Sequence, residues 1–358
     1  MSDIGMTEDV LIRREGHAGF LSLNRPKAIH ALTLPMVHAM TAALLEWRDD
    51  PAVSVVIIDH AEGRGFCSGG DIAFLRNSAL NDGGVSGRRF FHDEYQLNHL
   101  IFTYEKPVVA FMDGITMGGG VGISQPARFH VATENTRYAM PETGIGLFPD
   151  VGGGWYLSRL PGRIGQFLAL TGARLDGAEC KWAGLATHYL PHDALAEAKA
   201  RIAQGHEPGQ VLSALSATAP EARIAGNAAR IAKHFASDRY EDILASLAAD
   251  DSEWAAKELA TLRTKSPQTC KVALRQLRDS LSCADFAANM AMEYRIGSRV
   301  LTLPDFAEGV RAVIVDKDNA PVWNPATPEG VTEDLIDSIF APLPDAEEWQ
   351  PLKHTPSP

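Results

Sequence analysis

Two carboxylates, Glu142 and Asp150, stand among apolar and glycine residues in the run from Met140 to Gly154. Acids buried in such surroundings have perturbed ionisation and serve as bases, nucleophiles or proton donors. Each also has an ordinary explanation: Glu142 as a solvated loop acid, Asp150 as the N-cap of a helix over 152–160. Two glycine-rich turns, Cys67-Ser68-Gly69-Gly70-Asp71 and Met117-Gly118-Gly119-Gly120, offer complementary chemistry. Small residues where a strand runs into a helix present unpaired backbone N–H groups, which hold anions. The plainer alternative is that these glycines only make tight turns. Ile123 stands where a Gly-x-Gly-x-x-Gly pattern needs its third glycine, and no Gly-Lys-Ser/Thr run follows either turn, so dinucleotides and nucleoside triphosphates are poor candidates. The residues alone describe backbone donors facing a carboxylate pair, with no substrate named.

The elements that must position these groups change period along the chain. Residues 10–13 and 20–23 are apolar strands around Glu15-Gly16-His17, and read as a hairpin. From Thr33, a suitable N-cap, Val37, Met40, Leu44 and Trp47 recur at helical spacing until Asp49-Asp50-Pro51. Residues 53–58 and 107–112 are nearly continuous apolar runs of the kind buried on both faces of a parallel sheet, with a helix over 91–104 between them. Each such strand leads on to one of the glycine turns, an order that argues for an α/β architecture. After about residue 205 the text turns alanine-rich and helical, over 212–219, 221–235, 240–247, 253–262 and 269–281, before a proline-rich tail beyond Ala320. The expected organisation is a core over 1–205 and a mainly helical region over 206–358.

At 358 residues, with 45% hydrophobic and 22% charged residues, the chain has the composition of a globular protein able to bury a sizeable core. Its 33 basic and 45 acidic side chains leave a net charge of -12, which disfavours nucleic acid and anionic membrane as partners. Cys67, Cys180, Cys270 and Cys283 lack metal-ligand or paired spacing, so neither a metal site nor a disulfide framework is expected. Residues 1–10 carry Asp3, Glu8 and Asp9 and no apolar run, unlike a secretory or transit leader. These features together point to a cytoplasmic location. No segment approaches the roughly 20 apolar residues needed to span a bilayer.

Three segments, Gly65-Phe66-Cys67-Ser68-Gly69-Gly70-Asp71-Ile72, the run from Asp113 to Gly122, and the run from Pro141 to Gly154, resemble the signature blocks of the crotonase superfamily in order and spacing. The resemblance covers roughly residues 8–205. The Gly-Ile-Thr-Met-Gly-Gly-Gly-Val-Gly run and the run from Met140 to Gly154 resemble the branch of 3-hydroxyisobutyryl-CoA hydrolases in particular. Asp305 to Ala312, Asp316-Lys317-Asp318 and Trp323-Asn324-Pro325 extend that likeness toward the C-terminus. The resemblance implies a spiral of repeated ββα units with a helical C-terminal region, and hydrolysis of a short 3-hydroxyacyl-CoA thioester. It makes the N–H groups of Gly70 and Gly119 an oxyanion hole, Glu142 and Asp150 the catalytic acids, and Glu94 an acid that contacts substrate. On a helix, Glu94 shares its face with Leu97, Asn98 and Ile101, although an exposed acid is the ordinary reading there. Lys27 and Ala28 fall in a turn that resembles the superfamily's first contact with CoA. No cofactor is implied beyond CoA itself, which is part of the substrate; trimers and hexamers are common in the superfamily, and the resemblance leaves the oligomeric state of this chain open. Enoyl-CoA hydratases carry a second glutamate just after the glycine triplet, where this chain has Gly122. Hydratase or isomerase activity, or a non-catalytic CoA- or RNA-binding role, are the competing readings.

Overall fold

The computed structural model describes residues 7–353. Its strands are β1 (Val10–Glu15), β2 (Ala18–Leu23), β3 (Val55–His60), β4 (Gly65–Cys67), β5 (Val108–Met112), β6 (Ile115–Met117), β7 (Phe129–Ala132), β8 (Arg137–Ala139), β9 (Leu175–Asp176) and β10 (His188–Tyr189). They form a six-stranded sheet ordered β1-β2-β3-β5-β7-β10 and a four-stranded sheet ordered β4-β6-β8-β9. The pairs β3–β4, β5–β6 and β7–β8 each place one strand in each sheet before the chain moves into helix. This is the repeated ββα spiral.

Side-chain alternation explains why residues 55–58 of β3 and 108–112 of β5 are all apolar. Val56, Ile58, Ala110 and Met112 face one core, and Val55, Ile57, Val109 and Phe111 face a second, so none of these positions meets water. The hairpin forms as expected, with Val10 opposite Leu23 and Glu15 opposite Ala18.

The helices of the first half are α1 (Leu34–Asp49), α2 (Ile72–Asn81), α3 (Val85–Phe102), α4 (Gly119–Ser124), α5 (Gly153–Ser158), α6 (Ile164–Thr171), α7 (Gly177–Ala183) and α8 (Leu195–Ala203). Thr33 caps α1 by accepting from the Met36 N–H. Beyond these lie α9 (Pro208–Leu215), α10 (Ala228–His234), α11 (Tyr240–Ala248), α12 (Glu253–Leu262), α13 (Pro267–Ser280), α14 (Phe286–Val300), α15 (Pro304–Val310) and α16 (Glu333–Phe340). The helix expected over 221–235 is instead a 3-10 segment, Arg223–Asn227, followed by α10. The one expected over 212–219 starts earlier, because Pro208 occupies the first turn and Glu207 caps Gly209 and Gln210. α3 also begins earlier than the pattern over 91–104 suggests, and α2 and α14 were not anticipated.

One hydrophobic cluster joins Met40 of α1, Phe91 and Tyr95 of α3, Leu274 of α13 and Met290 of α14. The C-terminal helices thus share a core with the spiral and bring their own side chains to its open end. No helix among the described residues is long and apolar enough to cross a membrane.

Candidate active site

Parallel pairing of β4 with β6 sets the two glycine turns side by side, and a parallel bridge between Leu32 and Gly70 fixes the first of them. How close the backbones come is measured by what an added Cβ would meet. On Gly119 it would lie 3.2 Å from the Gly70 nitrogen and 2.5 Å from Glu94 Oε1. On Gly118, where φ is +48°, it would lie 3.2 Å from Glu142 Oε1. Glycine is favoured at 118 by the positive φ and at 119 by the close approach of Glu94 and of the Gly70 backbone. Neither the Gly70 nor the Gly119 N–H has an acceptor among the described residues, so both donors are free.

Glu142, Asp150 and Glu94 all reach this point, and all are buried. Glu142 opens a 3-10 turn after β8 (Glu142–Ile145), and its Oε2 has no hydrogen-bond partner. Burial pushes its carboxyl well above the usual range, and neighbouring Asp150 pushes it further. Glu94 projects inward from α3 on the face expected for it, with Leu97, Asn98 and Ile101 buried beside it. Its Oε1 is also unpartnered, and burial followed by the charge of Asp150 raises its pKa well above normal. Asp150 Oδ2 accepts a hydrogen bond from the Tyr95 hydroxyl at 2.8 Å. Burial pushes Asp150 up to about 7, against the lowering effect of that bond. Acids this close titrate as a set, because each charge opposes the next.

The explanation of Asp150 as a helix cap is overturned. The N-cap of α5 is Gly152, with no side-chain capping bond, and Asp150 contributes only its carbonyl, to Gly153 N at 2.7 Å. The cap's place is taken by Glu293 of α14, whose Oε2 accepts from Gly152 N at 2.7 Å and whose Oε1 accepts from Gly154 N at 2.9 Å. Gly122 has a steric reason as well: a Cβ there would fall 2.6 Å from Val151 Cβ.

The donors and acids line a cavity of about 700 Å³. Ala28 lines it too, whereas Lys27 is exposed and does not. Val313, Ile314, Asn319 and Pro321 close one side, and Lys265 and Arg174 bring positive charge to the wall. The residues that sequence reasoning missed are Tyr95, Glu293 and Lys265. Tyr95 had a faint signal as the neighbour of Glu94, while Glu293 comes from α14 and Lys265 from the link between α12 and α13, neither of which carries a motif. Such an arrangement can polarise a carbonyl oxygen with two N–H donors and offer carboxylates to water beside it. No group of three or more His, Cys, Asp or Glu suited to a metal occurs among the described residues.

Residues 18–340 match the enoyl-CoA hydratase/isomerase family. A 3-hydroxyisobutyryl-CoA hydrolase, mitochondrial, of Xenopus laevis is 43% identical over 347 residues, covering 93% of this chain and 89% of the relative. The Homo sapiens protein of the same name is 39% identical over 346 residues, covering 94% and 89%. Among solved structures, a carnitinyl-CoA dehydratase from Mycobacterium thermoresistibile superposes with a TM-score of 0.91 at 40% identity, covering 96% of this chain and 99% of its own. An enoyl-CoA hydratase from Rhodobacter sphaeroides 2.4.1 gives 0.90 at 38% identity, covering 96% and 100%. The expected cytoplasmic location is corrected by these relatives, whose names say mitochondrial. The cysteine spacing does not choose between reducing compartments, and residues 1–6 of the N-terminal reading lie outside the described residues. The chain belongs to the enoyl-CoA hydratase/isomerase (crotonase) family, in its 3-hydroxyisobutyryl-CoA hydrolase branch.

Proposed function

We propose that this site hydrolyses the thioester of 3-hydroxyisobutyryl-CoA, or of a close short 3-hydroxyacyl-CoA, to the free acid and CoA, as in valine breakdown. The observation that carries the reading is the meeting of two free N–H donors, Gly70 and Gly119, with the buried carboxyls of Glu142 and Asp150 in one cavity. As the carbonyl carbon is attacked, its oxygen gains negative charge, and each well-placed donor is worth about 2.7–4 kcal/mol in the transition state. A carboxylate raised toward neutral pH takes a proton from water more readily than an ordinary one. Glu142 either activates that water or attacks the carbon itself, breaking the C–S bond to release CoA thiolate and form a mixed anhydride that water then opens. Asp150 orients the water or the substrate hydroxyl, and Glu94 helps hold that hydroxyl. Ala28, on the cavity wall, contacts the CoA portion, and Lys265 with Arg174 offers charge to its phosphates. CoA enters as part of the substrate, and no further cofactor takes part.

A hydratase reading has one observation against it: the position where an enoyl-CoA hydratase places its second acid is Gly122, walled off by Val151. Product analysis on a panel of short acyl-CoAs separates the two. Release of free thiol from 3-hydroxyisobutyryl-CoA is expected; efficient hydration of crotonyl-CoA with no thiol release would overturn the proposal.

A further inference from the structure

We infer that Glu293, on α14 in the C-terminal helical region, is a positioning residue that holds the turn carrying Asp150 in its working conformation. The inference rests on the reading of Asp150 as a working carboxylate. Glu293 is fully buried and has no ion-pair partner among the described residues. Four N–H donors converge on it instead: Gly152 N at 2.7 Å, Gly154 N at 2.9 Å, Asn289 Nδ2 at 2.9 Å and Gln276 Nε2 at 3.0 Å. Gln276 Nε2 also donates to Pro149 O at 2.7 Å. Segment 149–154 is thus tied at Pro149, Gly152 and Gly154 to side chains of α13 and α14. Asp150 and Val151 lie between the ties.

Val151 shows why ties are needed. Its φ is +52°, a conformation that a β-branched residue avoids and keeps only where its surroundings over-determine it. In that conformation the Val151 side chain packs against Gly122. Relaxation of the turn toward ordinary φ would rotate the backbone at the residue next to Asp150 and withdraw the carboxyl from the Tyr95 hydroxyl. A helix cap alone would need only one acceptor on the first turn of α5. Here a carboxylate spans two of that turn's N–H groups, and its helix partner Gln276 holds the residue before Asp150.

The ionisable groups close to Glu293 are Asp150 on the turn, Tyr95 on α3, Tyr156 on α5 and Cys283 before α14. None of them is a cation, so the carboxyl group is held by dipoles, and burial pushes its pKa up to about 8. Removing one of its oxygens therefore acts on the geometry of the turn and breaks no ion pair.

A double-mutant cycle tests the inference. Glu293→Gln keeps the size of the side chain but turns an amide N–H toward a glycine N–H that needs an acceptor. Expected is a fall in kcat of tenfold or more with KM nearly unchanged, since the CoA-binding side of the cavity is untouched. In the Asp150→Asn background the same substitution should produce no further fall in kcat. Equal, multiplying losses in both backgrounds, or wild-type kcat in Glu293→Gln, would overturn the inference. Should Glu293→Gln fail to fold, Gln276→Met in the same cycle decides. It removes the tie to Pro149, so full activity there counts equally against the inference. Hydrogen exchange at residues 150–154 reports the ties without turnover and should be faster in Glu293→Gln. Full activity in Asp150→Asn would sink the reading of Asp150 itself, whereas an impaired Asp150→Asn beside an unimpaired Glu293→Gln sinks only the role of Glu293.

Discussion

The Tyr95 hydroxyl donates to Asp150 Oδ2 at 2.8 Å, and both groups are buried from solvent. This bond favours the ionised form of Asp150 while burial opposes it. Tyr95→Phe removes the bond and leaves the burial. The pKa of Asp150 should therefore rise, and any limb of the pH–rate profile that requires ionised Asp150 should move to higher pH. Loss of one donor to a buried charged group is also expected to lower stability by about 1–3 kcal/mol. A Phe variant whose profile superimposes on that of the wild type would show that Asp150 titrates independently of Tyr95.

Glu142→Gln preserves shape and removes the group that takes the proton or attacks the carbonyl. Turnover should drop 10²–10⁴-fold, the range typical of a general acid or base, and further if attack is covalent. KM should change little because the donors at Gly70 and Gly119 remain. Steady-state kinetics on the purified variant settles the role, and near-wild-type turnover removes Glu142 from the mechanism.

Gly119→Ala introduces a methyl group 2.5 Å from Glu94 Oε1 and 3.2 Å from the Gly70 nitrogen. Glu94 Oε1 has no hydrogen bond to hold it, so the acid will swing away and the two turns will part. Both donors then lose their aim. A fall in kcat of about 10²–10³ is expected, as for loss of one oxyanion donor elsewhere. The variant should remain folded by circular dichroism; retained kcat would mean that these N–H groups do not meet the substrate oxygen.

Legibility followed the distance over which each feature is determined. The turns around Gly70 and Gly119 were readable because the strand, the small residues and the following helix are contiguous. Residues 55–58 of β3 and 108–112 of β5 were readable because burial on both faces leaves an unbroken apolar run. Asp150 was readable as an acid in apolar surroundings, but not as a residue excused from capping. Its rival acceptor, Glu293, lies 141 residues beyond Gly152, and no local pattern announces it. Tyr95 is adjacent to Glu94 in sequence, and only the arrival of Asp150, 55 residues on, gives its hydroxyl a partner. α14, which supplies Glu293, was missed although Asp285 caps it at Ala288 N.

Asp150→Asn separates function from stability most directly. The folded protein holds this proton up to a pH of about 7, whereas an unfolded aspartate releases it near about 4. A carboxyl whose folded pKa is raised contributes stability that is complete at low pH and is lost as the pH climbs through the folded value. Over that window the loss amounts to about 1.4 kcal/mol per pH unit for one group. Asparagine never ionises, so the variant escapes it. Thermal unfolding should then give similar melting temperatures for the two proteins near pH 4 and a higher one for Asp150→Asn at pH 8. Thiol release should meanwhile fall at least 10²-fold, since an amide neither takes a proton nor carries the charge that orients water. Glu94 and Glu142 add slopes of their own, so the comparison to be read is the difference between the two proteins across pH. A variant that is less stable than wild type at pH 8 would mean that the buried Asp150 carboxylate is stabilised by its surroundings, contrary to its raised pKa.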